Sequence, residues 1–138
     1  MSYGLSLWAV PRNHVEIRER YNMKHIPHIT LETNLTKPSF SCDVGNVVQA
    51  EFTRGMTKFP WIYSPDDPLE ASGYYCIMKG LYNVPKHRLH MSIFYNYDGQ
   101  YMQYLEPPPV CLCDVVRADT RSEDPSEWIV TNSFRDIQ

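Results

Sequence analysis

Two phrases of this chain, Pro27-His28-Ile29-Thr30-Leu31 and Leu89-His90-Met91-Ser92-Ile93, constrain its fold more than any other segment. Side chains alternate across a β-strand, so His28 and Thr30 share one face while Ile29 and Leu31 share the other. His90 and Ser92 repeat the arrangement, with Met91 and Ile93 behind them. A fold that satisfies both phrases needs two strands that each bury an apolar face and present an imidazole and a hydroxyl on the opposite one. The interval between the phrases is too long for a solenoid repeat and suits a duplicated half-domain.

Further strands follow from the same alternation. Leu5 to Val10 reads as a strand entering the core and stopped by Pro11, with a helix after it. Asn13 stands at the N-cap and Glu16 at the capping-box position, and His14, Ile17 and Tyr21 fall on one helical face. Val47–Phe52, Phe59–Tyr63, Tyr74–Met78, Val110–Ala118 and Trp128–Thr131 read as strands, and Ser64 to Pro68 reads as a turn-rich loop. Tyr97-Asp98-Gly99 carries turn chemistry after the second phrase, and Gly99 to Leu105 has room for a short helix.

At 138 residues the chain is the size of one domain, and we expect a single unit over residues 1–138. Its formal net charge of −3 argues against a broad grip on duplex nucleic acid, which requires a basic stripe. A small or single-stranded anionic ligand is compatible with that charge. Cys42, Cys76, Cys111 and Cys113 contain no Cys-x-x-Cys pair, and no signal peptide precedes the first strand; reduced thiols in a cytoplasmic protein are the expectation. No apolar run approaches the roughly 20 residues of a membrane-spanning helix, so no membrane partner is expected.

Two histidines can divide acid and base work, because an unperturbed imidazole titrates near pH 6.5 and both of its forms are accessible at neutral pH. Phosphodiester cleavage needs that division. One imidazole takes a proton from the attacking oxygen, the other gives one to the leaving oxygen, and hydroxyls such as Thr30 and Ser92 hold the non-bridging oxygens. The scheme calls for no metal and no cofactor.

The copies His28-Ile29-Thr30-Leu31 and His90-Met91-Ser92-Ile93 resemble the doubled signature of the 2H phosphoesterase superfamily: histidine, hydrophobic, threonine or serine, hydrophobic. The first strand ending Trp8-Ala9-Val10-Pro11 and the helix after it extend the resemblance. It implies an α+β, bilobed fold with few helices, in which two pseudo-symmetric antiparallel-rich sheets flank a central cleft and the motifs meet face to face. It also implies phosphodiesterase activity with His28, Thr30, His90 and Ser92 as the catalytic set. Short length and acidic charge point to the small viral or phage-type members that degrade nucleotide immune signals, with a cyclic dinucleotide or 2′-5′-linked oligonucleotide as substrate. The alternatives are a 2′,3′-cyclic phosphodiesterase or 2′-5′ RNA ligase-like enzyme on short single-stranded RNA, and a nucleotide-binding module without turnover.

Base recognition calls for an aromatic face. Trp61 and Tyr63, before the Pro/Asp loop, and Tyr3, at the mouth of the first strand, are the candidate substrate-binding residues. Lys86, His87 and Arg88 form a local basic group that attracts phosphate or is simply solvated. Glu32 shares the His28 face and either orients a base or reaches solvent. Trp8 and Trp128 read as packing residues. A metal rival rests on His25 and His87, each three residues before a motif histidine, which would gather four imidazoles on zinc if the chain bends there.

Overall fold

Alternating apolar residues close the strands into one barrel. The computed structural model describes residues 5–33, 41–55, 57–64, 67–95, 106–120 and 125–131. Its elements in chain order are β1 (Leu5–Pro11), α1 (His14–Tyr21), β2 (Ile29–Glu32), β3 (Val47–Phe52), β4 (Thr57–Ser64), β5 (Asp67–Lys79), β6 (His90–Tyr95), β7 (Cys111–Asp119), a 3-10 turn (Pro125–Glu127) and β8 (Ile129–Val130). The strands run in the order β1-β2-β6-β5-β3-β7, and β7 pairs again with β1, so six antiparallel strands form a closed ring. β4 is appended to β5 and β8 to β7, outside the ring.

This overturns the expected bilobed α+β fold with two sheets around a cleft. The two motif strands are neighbours in a single sheet, joined through Ile29 and Met91. β7 pairs with β1 on one edge and β3 on the other, which removes the edges that two separate lobes would keep.

The strand expectations match the elements closely, including β3 at Val47–Phe52. The segment Tyr74–Met78 belongs to a longer strand, β5, whose start pairs back on β4 through Ser64 and Asp67. The expected turn at Tyr97-Asp98-Gly99 and helix at Gly99 to Leu105 lie outside the described residues, as do Pro65 and Asp66 of the loop.

Inward-facing residues fill the barrel. Leu7, Ala9, Ile29, Leu31, Met91 and Val115 are each wholly buried, and α1 adds Ile17 and Tyr21 to the same cluster. A second cluster lies on the outer wall, where Trp8, Val10, Val116 and Ala118 pack under Trp128 of the segment leading into β8. Arg117 is the exception inside: opposite Leu7 on the face of Val115, it is 5% exposed, and its Nε and Nη1 have no hydrogen-bond partner.

Asn13 does precede α1, but the capping box is not formed. With φ −93° and ψ 33°, Asn13 departs from the extended backbone of a capping residue, makes no side-chain cap bond and leaves its Oδ1 buried without a partner. The other end is closed by Asn22 in the left-handed conformation (φ 52°), with Met23 N–H donating to the Arg18 carbonyl at 2.9 Å.

Gly73 has a steric reason. The register between β5 and β6 shifts at Ser72 and Gly73, where Ile93 of β6 is the extra residue, and a Cβ at Gly73 would lie 1.8 Å from the Met91 carbonyl oxygen. The backbone of β5 therefore approaches the second motif more closely than any residue with a side chain allows.

Candidate active site

Both motifs obey the alternation. Along β2, Ile29 and Leu31 are buried in the barrel and Thr30 is half-buried outside; along β6, Met91 and Ile93 are buried and His90 and Ser92 are half-buried outside. The antiparallel register sets Ile29 opposite Met91. Carried one residue either way, it sets Thr30 opposite His90 and His28 opposite Ser92. The two imidazole and hydroxyl pairs thus lie side by side on the outer wall of the barrel, interleaved by a local two-fold through Ile29 and Met91. They do not face one another across a cleft, because their strands pair directly.

The two-fold extends to the hydrogen bonds. His28 Nδ1 is 2.6 Å from the Ile26 carbonyl oxygen, and His90 Nδ1 is 2.9 Å from that of Arg88, two residues upstream in each copy. A carbonyl can only accept, so in the neutral rings the proton sits on Nδ1 and the lone pair on Nε2. Both motif histidines are therefore set in the tautomer that offers Nε2 as a base.

Their surroundings differ. His28 is 5% exposed and lies flat on Trp8, with ring centroids 3.7 Å apart and planes at 13°. Trp128 meets its ring edge-on at 5.9 Å, and His25 does so at 6.0 Å on another side. Burial, the charge of His25 and that of His90 push its pKa down to about 3, against the opposing pull of the Ile26 carbonyl. His90 is half-buried with Tyr75 edge-on at 6.4 Å. Burial lowers its pKa too, the bond to the Arg88 carbonyl opposes this, and His87 adds to the lowering.

Residues chosen for packing or charge turn out to border this face. Trp8, read as a core residue, forms the stacking floor under His28. Arg88 lies with its guanidinium 3.5 Å from the centre of the Tyr75 ring, next to His90. Register explains both: Trp8 pairs with Thr30, and Tyr75 pairs with His90. No sequence signal links these residues, since each pairing joins distant segments.

Glu32 does not simply reach solvent. Its Oε2 accepts from the Ser41 hydroxyl at 2.8 Å and amide at 3.2 Å, beyond a bulge where β2 shifts register against β1. Trp61 and Tyr63 lie on β4, where Trp61 pairs with Leu69, and β5 separates that strand from β6. Tyr3 lies outside the described residues.

His25 and His87 do not converge on a common point. Each places Nε2 2.8 Å from a backbone carbonyl oxygen of the opposite motif strand, His25 on Ser92 and His87 on Thr30. Among the described residues no three His, Cys, Asp or Glu side chains are grouped to hold a metal ion. The four cysteines are free and buried, and Cys111 and Cys113 bring their sulfurs to 3.9 Å on the inner face of β7. No helix among the described residues is long and apolar enough to cross a membrane. Compared with protein-family models, curated proteins and solved structures, the chain matches none.

Proposed function

We propose that this protein is a phosphodiesterase that cleaves a small ribonucleotide by two-histidine acid/base chemistry. One observation carries the reading: two imidazole and hydroxyl pairs share one outer face, related by a local two-fold, with each imidazole tied through Nδ1 to a carbonyl. His28 and His90 are diagonal neighbours on adjacent strands, a relation that separates residues by roughly 7–8 Å. That interval accommodates a phosphoryl group with the attacking oxygen toward one ring and the leaving oxygen toward the other.

In this reading His28 is the base. Burial keeps it neutral, and its Nε2 lone pair takes the proton of the attacking hydroxyl or water as the new P–O bond forms. His90, more open to water, is the acid: as the imidazolium, having taken a proton on Nε2 from solvent, it gives that proton to the departing oxygen as the old P–O bond breaks and returns to the Nδ1-protonated neutral ring. A bound phosphate raises the proton affinity of both rings by its negative charge and so offsets part of the depression that burial imposes. Thr30 and Ser92 donate hydrogen bonds to the non-bridging oxygens, where charge is held in the transition state. His28 then releases its proton to solvent, His90 takes one up, and the cycle closes.

The acidic net charge supports a small substrate: a cyclic dinucleotide or a 2′-5′-linked oligonucleotide needs only local contacts, whereas a long RNA needs a basic track. RNA 2′,3′-cyclic phosphate ends would use the same four residues. A second reading is favoured by the burial of His28 to 5% under Trp8, which suits a nucleotide-binding face without turnover.

The test incubates the protein, in chelator, with cyclic dinucleotides, 2′-5′ oligoadenylate and 2′,3′-cyclic mononucleotides, beside His28→Ala and His90→Ala. Turnover lost in both variants is the expected result. Turnover that survives either substitution rules out the mechanism, and binding of a panel compound with no cleavage selects the second reading.

A further inference from the structure

The duplicated pattern is longer than the four-residue phrase that first draws attention. His25-Ile26-Pro27-His28-Ile29-Thr30 and His87-Arg88-Leu89-His90-Met91-Ser92 share a histidine three residues before the motif histidine. In each copy that leading imidazole reaches the other copy: His25 Nε2 bonds the Ser92 carbonyl and His87 Nε2 bonds the Thr30 carbonyl, both at 2.8 Å. The local two-fold that exchanges His28 with His90 also exchanges these two bonds. The carbonyls they take belong to the hydroxyl residues that stand opposite the motif histidines in the register.

β2 is held on its other edge by β1 and β6 by β5, but the ladder between the two motif strands is itself sparse. β2 is a strand of 4 residues, and its pairing with β6 is registered at Ile29 and Met91 alone, whereas β1 and β7 are registered from Leu5 with Asp119 through to Pro11 with Cys113. A slip of one residue would turn His28 and Thr30 inward and Ile29 and Leu31 outward. The two imidazole bonds bracket the one registered pair, one on each side, and reinforce it against that slip.

We propose that His25 and His87 are positioning residues that lock β2 against β6 and thereby set the separation of the His28 and His90 rings. They touch no substrate. They act by holding the two carbonyls, and with them the backbone that carries Thr30 and Ser92. As far as turnover is concerned the proposal rests on the phosphodiesterase reading; as far as strand register is concerned it stands alone.

The experiment has a readout for each part. In the wild-type protein, 15N imidazole spectra should show Nε2 of His25 and of His87 protonated, and Nδ1 of His28 and His90 protonated. A wild-type His25 or His87 whose Nε2 carries no proton cannot donate to a carbonyl, and that result overturns the proposal without any variant. His25→Leu and His87→Leu should speed exchange of the Ile29 and Met91 amides at least tenfold and lower kcat on the order of 10–100-fold with little change in KM, as misplacement of reacting groups does. His25→Gln and His87→Gln keep a side-chain N–H and should restore both quantities to within a few-fold of wild type. Glutamine variants no better than leucine variants, or leucine variants with unchanged exchange, sink the proposal. If no panel compound is cleaved, the phosphodiesterase reading fails while spectra and amide exchange still decide the role of His25 and His87.

Discussion

His28 lies flat against Trp8 at 5% exposure, under a second indole from Trp128, whereas His90, at the same place in the second copy, stays half-buried between Tyr75 and the backbone of Arg88. The two copies share strand alternation, tautomer and hydrogen-bonding pattern. What separates them is the neighbouring elements: β1 brings Trp8 and the segment leading into β8 brings Trp128 to the first copy, and β5 brings a tyrosine capped by arginine to the second. A repeated motif thus acquires two surroundings from one backbone geometry, and under the proposed mechanism that difference assigns base to one ring and acid to the other.

The strongest way to break this assignment is through turnover. His28→Ala and His90→Ala should each cost about 10²–10⁴-fold in kcat on a cleaved substrate, the usual span of a lost general acid or base. The pH profile separates them: the limb lost in His90→Ala should be the alkaline one, where an acid must stay protonated, and the limb lost in His28→Ala the acidic one. Loss of the same limb in both variants would contradict the division of roles.

Removing the wall that distinguishes the copies comes next. Trp8→Ala should destabilise the fold by about 3–5 kcal/mol, measured by chemical denaturation, because a buried indole and its stack are lost together. The milder Trp8→Leu, followed by NMR titration, should raise the His28 pKa from about 3 toward 6.5 and leave His90 unchanged.

A control away from both copies is Arg117→Met. It replaces a buried guanidinium that leaves two nitrogens unpaired with an apolar side chain, and should stabilise the protein by about 1–3 kcal/mol with turnover unaffected. An equal loss of stability instead would show that the guanidinium is held by the fold.

Acid sensitivity follows from the first copy. Between about pH 6.5 and about pH 3 the unfolded chain binds a proton at His28 that the native state refuses. The contribution is therefore complete above pH 6.5 and declines as the pH falls, by up to about 1.4 kcal/mol for each unit. His90, also lowered, contributes with the same sign. Denaturation midpoints across pH 7 to 4 measure the slope, which should flatten in His28→Phe.

The smallest effect belongs to the second copy. Arg88→Gln removes an exposed guanidinium from the face of Tyr75 and should cost about 0.5–1 kcal/mol. A larger cost would mean that Arg88 shapes the His90 environment beyond this contact.

Much of this was legible beforehand. The alternation in both phrases foretold which side chains face the core, and β1, β3, β6 and β7 fall where period-2 reading puts them. The capping box was less legible, because the backbone of Asn13 after Pro11 turns its side chain away from the first-turn amides. Glu32 keeps the alternation but its partner was not legible: Ser41, nine residues on, donates to its carboxylate from a segment with no periodic pattern linking the two.

The sequence by itself determined the local order: a strand's period of two is a property of the backbone, so imidazole beside hydroxyl and apolar behind were set by five consecutive residues in each copy. Only the tertiary structure decided that β2 and β6 are neighbours, that the sheet closes into a barrel, and that Trp8 covers one histidine while Tyr75 borders the other. Those outcomes depend on pairings between segments far apart in the chain, whose favourable terms arise from burial and register across strands and leave no mark in either segment alone.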